Sequence, residues 1–199
     1  SGEPVSEIMN SWINQTGYPV VTIETERTGE SVSISAKQTR FLYEHLLNPD
    51  NEDNSIWKIP LSAISERGLK TESSLMTKSH SRINIGPYPD DGNKVWIKVN
   101  PDQTGFYRVN YSPDDWTYLQ VAISRQNLAA VDRLGLQNDA YALAKAGFLP
   151  ISQFLALSEA YINENNAIVW EDMASNFGNL DSLIAKEPSY KYFEKFGRK

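Results

Sequence analysis

Between positions 18 and 111 apolar residues recur at every second position. Val21 and Ile23; Val32, Ile34 and Ala36; Trp57, Ile59 and Leu61; Ile83 and Ile85; Val95, Ile97 and Val99; and Tyr107, Val109 and Tyr111 each put one apolar face on an extended segment. A weaker candidate at 73–77 brings the count to about seven strands. The separators are rich in turn formers: Arg27-Thr-Gly, the Asn/Pro/Asp loop at 48–54, and 87–93 with two prolines and a glycine. About seven short alternating strands in about 95 residues predict an antiparallel β-sandwich.

On either side of this region the period changes to that of a helix. Val5, Ile8, Met9 and Trp12 predict a short amphipathic helix over 4–15, ended by Gly17 and Pro19, with no obvious packing partner. After the strands, Ser112 at the N-cap, Pro113 at the first helical position and Asp115 three residues after the cap announce a helix carrying Trp116, Leu119, Ala122 and Ile123. A second runs to about 146, with Val131, Leu134, Ala140, Leu143 and Ala144, and Gly147 stops it. A third starts at Pro150 and Ser152 and carries Leu155, Ser158, Tyr161 and Ile162; a fourth covers about 167–185; Tyr190, Phe193 and Phe196 mark a fifth. Short loops favour antiparallel neighbours, as in a bundle or a stacked solenoid. The expected fold class is therefore α+β: an antiparallel β-sandwich followed by an antiparallel, solenoid-like helical array. The closing Gly-Arg-Lys carries no stop signal for such an array, so the sequence reads as a fragment of something larger.

Composition narrows the partners. With 199 residues, 40% hydrophobic and 11% aromatic, the chain can bury a core. A net charge of −6 argues against nucleic acid and against an anionic membrane surface. There is no cysteine, which excludes disulfides, thiolate metal sites and cysteine nucleophiles and suits a reducing compartment. No apolar run approaches the ~20 residues of a membrane span, and the opening Ser-Gly-Glu-Pro lacks the regions of a signal peptide, so the chain reads as soluble.

Candidate chemistry is sparse. The two histidines, His45 and His80, are too far apart for H-E-x-x-H, and each reads as an ordinary polar residue. No G-x-S-x-G, P-loop or dinucleotide fingerprint occurs. Carboxylate pairs stand at Asp90-Asp91, Asp114-Asp115 and Glu171-Asp172, where turn hydrogen bonds, the helix dipole or solvation suffice to explain them. The acidic loop 48–54 lacks the spacing and glycine of a calcium loop. Asn14-Gln-Thr and Asn110-Tyr-Ser match the glycosylation tripeptide, a pattern common by chance. Trp57, Trp96, Tyr107 and Tyr111 read as core and cross-strand packing rather than a binding face.

The run WKIPL at 57–61, GFYRVNY at 105–111 and above all VDRLGLQNDAYALAKAG at 131–147 resemble the zinc aminopeptidases of the gluzincin type. SGEP at 1–4, MNSW at 9–12, GYP at 17–19 and Val169-Trp170 follow in that family's order, so the resemblance covers nearly the whole chain. It implies that 1–16 is the last helix of a preceding catalytic domain, 17–112 the β-sandwich that follows, and 113–199 the start of a C-terminal helical domain. In such enzymes H-E-x-x-H and a downstream Glu hold zinc, the motif Glu activates water, G-x-M-x-N holds the substrate amino terminus and a Tyr stabilises the tetrahedral intermediate. None of these motifs is present; no Gly stands two residues before any Met. Tyr107 and Tyr111 match the sandwich strand and not the catalytic tyrosine. The resemblance thus implies no catalytic, cofactor-binding or metal residue here. Zinc belongs to the parent enzyme, and the partners are the catalytic domain of the same polypeptide and, in the parent, peptides. The location it implies is cytoplasmic. Asp132 and Arg133 are expected to cap and dock their helix against the sandwich as a salt-bridged interface, and Asp139 and Lys145 to be solvated. The alternative is an independent peptide- or protein-binding module without enzymatic activity.

Overall fold

The computed structural model describes residues 4–29, 31–43, 53–68, 70–71, 74–87 and 95–197. His45, Asp90, Asp91 and most of the loop 48–54 lie outside the described residues. Eight strands and six α-helices are formed among those described. Helix α1 spans Val5–Ile13, and the strands are β1 (Pro19–Thr28), β2 (Ser31–Arg40), β3 (Ile59–Leu61), β4 (Ala63–Ser65), β5 (Ser74–Met76), β6 (His80–Pro87), β7 (Ile97–Val99) and β8 (Arg108–Asn110). The helices α2 (Pro113–Ser124), α3 (Ala130–Ala146), α4 (Ile151–Glu159), α5 (Ala167–Ile184) and α6 (Tyr190–Gly197) follow.

The alternating pattern does what its period requires. β1 and β2 form a long antiparallel hairpin in the register Val21↔Gln38 and Ile23↔Ala36, turned at Gly29, whose φ of 55° suits glycine. β6 pairs antiparallel with the far edge of β2, and β8 adds to the far edge of β1, giving the order β6-β2-β1-β8. Two short ladders, β3–β5 and β4–β7, complete the strands. The β1–β8 pair is parallel, which corrects the expectation of a wholly antiparallel sandwich. Alternation reports which face a residue occupies and says nothing of strand direction.

Other differences are local. The run 57–61 continues past Ser62 as a separate strand, β4, because β3 and β4 choose different partners. The last strand shortens to Arg108–Asn110, because the chain bends at 105–107 before it enters the sheet. The third helix ends at Glu159 and tightens into a 3-10 turn at Ala160–Asn163. The predicted boundaries of the others hold to within two residues: Ser112 caps α2 by accepting the Asp115 N–H, and Gly147 ends α3 in the left-handed conformation at φ 85°.

A single apolar cluster runs from Val20 in β1 through Trp57, Ile59 and Ile97 of the ladders to Trp116, Leu143, Phe154 and Leu180 of the helices. Fully buried aliphatics such as Ile34, Ile59 and Leu119 each contribute about 1.5–3 kcal/mol relative to exposure. Helix α1 rests on the outside of this mass. Trp12 packs 6.3 Å from Trp57 and donates its indole N–H to the Lys58 carbonyl at 3.1 Å, while Ser11 Oγ accepts the Lys58 N–H. Its partner, unassigned from sequence, is thus the segment leading into β3.

Candidate functional site at the seam between sheets and helices

The segment 100–111, NPDQTGFYRVNY, joins the ladders to the helices and is rich in polar side chains. Asn100, Asp102 and Gln103 have φ of 57°, 58° and 53°, a left-handed conformation that costs a residue bearing a Cβ about 1–2 kcal/mol. Hydrogen bonds hold it there. The Asn100 side chain accepts the Gly105 N–H at 2.8 Å and donates to the Gly105 carbonyl at 2.9 Å. The Asp102 N–H donates to Asp132 Oδ1 of α3 at 2.9 Å. Two glycines make room: a Cβ on Gly105 would lie 2.2 Å from the Tyr107 ring, and one on Gly135 of α3 would lie 1.9 Å from the Gln103 side chain.

Beneath the turn lies Lys98 of β7, only 1% exposed. Its ammonium donates to the carbonyls of Val99 at 2.7 Å and Asn100 at 2.9 Å and stands 3.4 Å from Asp132 Oδ1. Burial pushes its pKa down, with Asp132 and Asp139 opposing. The Tyr111 hydroxyl accepts the Val99 N–H at 3.1 Å, and burial raises its pKa well above the ordinary value. Two helical turns further along α3 from Asp132, Asp139 Oδ2 accepts the Val109 N–H at 3.0 Å and Oδ1 accepts Arg108 Nη1 at 3.0 Å. Burial raises the Asp139 pKa; Arg108 and the Val109 N–H oppose it.

These positions correct two expectations. Asp139 is buried against β8 rather than solvated, because the face of α3 that carries it lies on the strand. Lys145 is exposed as expected, with its ammonium 5.1 Å from the centre of the Tyr43 ring. Asp132 docks α3 to the turn and to Lys98, as the salt-bridged interface requires. Arg133 does not. It turns into the helical array, where it forms a two-pronged pair with Glu164 at 2.6 and 2.7 Å and donates to the Leu128 carbonyl at 2.6 Å. The Arg133 pair and hydrogen bonds hold Glu164 below the usual carboxylate range.

The remaining candidates are dispersed. His80 is exposed at the start of β6 with its Nδ1 3.1 Å from Ser79 Oγ. Asp114 is exposed, whereas Asp115 is buried, accepting from the Ser112 hydroxyl at 2.8 Å. Glu171 is exposed and Asp172 half-buried. Trp57, Trp96, Tyr107 and Tyr111 are all buried. Among the described residues no group of three or more histidines or acids is placed to hold a metal ion, and no helix is long and apolar enough to cross a membrane.

Sequence reasoning missed Lys98, Asn100, Arg108 and Glu164. Lys98 alternates with Ile97 and Val99 and so reads as solvent-facing; helix α2 packs against β7, and Lys98 is buried. A general acid or base must reach a substrate proton. Asp139 instead gives both oxygens to Val109 and Arg108, and Lys98 gives its donors to two carbonyls and Asp132. The chemistry of the seam is that of a latch between β-strands and helix.

The family described as the ERAP1-like C-terminal domain matches residues 96–199, taking in β7, β8 and every helix after them. Over 200 residues the chain is 33% identical to aminopeptidase 2 of Candida albicans, covering all of this chain and 21% of that protein. It is 29% identical to the puromycin-sensitive aminopeptidase of Caenorhabditis elegans, covering 99% of this chain and 21% of the other. With the thyrotropin-releasing hormone-degrading ectoenzyme of Rattus norvegicus it shares 30%, over 96% of this chain and 18% of the other. The chain thus spans about a fifth of the length of the curated relatives it matches. With a matched region that holds the latch and the helical array together, the chain belongs to the ERAP1-like C-terminal domain family.

Proposed function

We propose that this chain is a non-catalytic portion of a zinc aminopeptidase that removes N-terminal amino acids from peptides. The observation that carries the reading is the alignment of almost the entire chain with about a fifth of several aminopeptidases. In this proposal residues 1–16 close the catalytic domain, 17–112 form a spacer, and 113–199 begin a helical domain that roofs the chamber in which peptides are cut. The zinc and the residues that activate water belong to the catalytic domain of the same polypeptide.

Two surfaces suit that role. On α1, Val5, Met9 and Ile13 are 57%, 52% and 68% exposed, spaced four apart on one face, as a helix awaiting a further layer of protein would be. At the far end, α4, α5 and α6 surround a groove of about 740 Å³ lined by Ile162, Trp170, Phe177 and Phe193, where further helices of a stacked array would pack. A cytoplasmic location is part of the same proposal, on the acidic, cysteine-free composition; recovery of the parent in a washed membrane pellet contradicts that part. The reading is tested by the reading frame upstream of Ser1. It predicts an in-frame H-E-x-x-H with a downstream zinc-binding Glu, and a frame that opens at this segment with no such motif overturns it.

A further inference from the structure

Beside the latch, Tyr18, Phe106, Arg108, Leu134, Asn138 and Asp172 line a cleft of about 500 Å³, a size that accommodates a small molecule. The polar groups on its wall are arranged in series. The Arg108 guanidinium donates through Nε to the Tyr18 hydroxyl at 3.2 Å and through Nη1 to Asn138 Oδ1 at 2.9 Å and Asp139 Oδ1 at 3.0 Å. Its Nη2 donates to no acceptor among the described residues, although the side chain is only 18% exposed. On the other side of Asn138, Asn138 Nδ2 donates to Asp172 Oδ1 at 3.4 Å and Asn176 Nδ2 to Asp172 Oδ2 at 3.0 Å. Asp172 therefore receives only neutral amide donors and forms no ion pair among the described residues. A guanidinium edge and a carboxylate stand one amide side chain apart, each with capacity for an oppositely charged partner.

We propose that this cleft is a binding site for a free α-amino acid with an apolar or aromatic side chain, its carboxylate on Arg108 Nη2, its ammonium on Asp172 and its side chain against Phe106 and Leu134. The span from the guanidinium to Asp172 is one primary amide flanked by two hydrogen bonds. The two charged ends of an α-amino acid, flanked by two hydrogen bonds, bridge a comparable span. An internal peptide residue offers neither charge, and the two ends of a longer peptide stand further apart than the site. Phe106 is 73% exposed, held by Tyr18 at a centroid distance of 5.4 Å and Trp12 at 6.1 Å, so it supplies a preformed aromatic wall. Burial raises the pKa of Asp172, and the Asn138 and Asn176 amides and the nearby Arg108 charge oppose it. This site does not depend on the parent's being an aminopeptidase, although free amino acids are what such an enzyme releases.

The test is calorimetric titration of the full 199-residue chain with L-phenylalanine, N-acetyl-L-phenylalanine and L-phenylalaninamide. The proposal expects saturable binding of phenylalanine and affinities weaker by about tenfold or more for the two derivatives, each of which removes one charge-assisted contact. Asp172→Asn, which keeps an amide-sized group in place, is expected to weaken phenylalanine by a similar factor, to the level of N-acetylphenylalanine, whose own affinity it leaves unchanged, and to weaken phenylalaninamide further. No saturable binding to a chain that unfolds cooperatively overturns the proposal. So does equal binding of all three ligands, a comparison that holds even when the Asp172 variant fails to fold.

Discussion

At the scale of single residues the chain buries charge in pairs. Lys98 and Asp132 are 1% exposed each, and Lys98→Met is expected to lower stability by about 3 kcal/mol or more, because it removes one partner and leaves a buried carboxylate. Urea unfolding checks this; a loss under about 1 kcal/mol would mean that the buried Lys98–Asp132 pair does not hold the turn. Glu164 gives a prediction with a sign in pH. Arg133 and the N–H groups of Asn165 and Asn166 lower its pKa in the folded chain, so its contribution is fully present above the unfolded value of about 4.3 and is lost as pH falls through the folded value. Glu164→Gln should therefore cost about 2–4 kcal/mol at pH 7, and its deficit relative to the parent chain should shrink as the solution is acidified below the ordinary glutamate range. Thermal unfolding of both proteins between neutral and acid pH measures it. A deficit constant across that range contradicts the ionic role assigned to Glu164.

At the scale of elements, space for backbone approach decides where the turn and helices can go. Gly105→Ala is expected to cost about 1–3 kcal/mol, since its Cβ would meet the ring of Tyr107, itself 5% exposed and unable to swing away. Gly147→Ala should cost about 1–2 kcal/mol through the left-handed cap alone. Both follow from urea midpoints, and a neutral Gly105→Ala would show that the 105–107 turn relaxes freely. The elements also show what was legible beforehand. Period-two alternation placed β1, β2 and β6, and Ser112, Pro113 and Gly147 marked helix ends, because these signals are local. The direction of β8 was not legible, since pairing with β1 is fixed by a chain path across some eighty intervening positions. The polar face of α3 misled at Asp139 for a related reason: it is buried there beside Asp132, Arg133 and Gln137, against a partner far away in sequence, and hydrophobic periodicity counts such a residue as solvent-facing. The candidate site was legible only through GFYRVNY, as part of the resemblance. Latching a turn uses the same residue types as catalysis, and only the partners of Asn100, Asp102 and Arg108 distinguish the two.

At the scale of the molecule, strands and helices share one core and are bridged by Asp132, Asp139 and Arg108, so they are expected to unfold together. A single calorimetric transition is predicted, and two well-separated transitions would contradict a shared core. The proposed place of the chain in a larger enzyme makes a sharper demand. It says that the latch and the helical array position and enclose, while zinc and water activation lie elsewhere in the polypeptide. The most direct measurement is hydrolysis of leucine p-nitroanilide, with zinc added, by the purified 199-residue chain and by the complete protein that contains it. The account predicts zinc-dependent release of p-nitroaniline by the complete protein and none by the chain alone. Zinc-dependent turnover by the chain alone, or none by the complete protein, would contradict it.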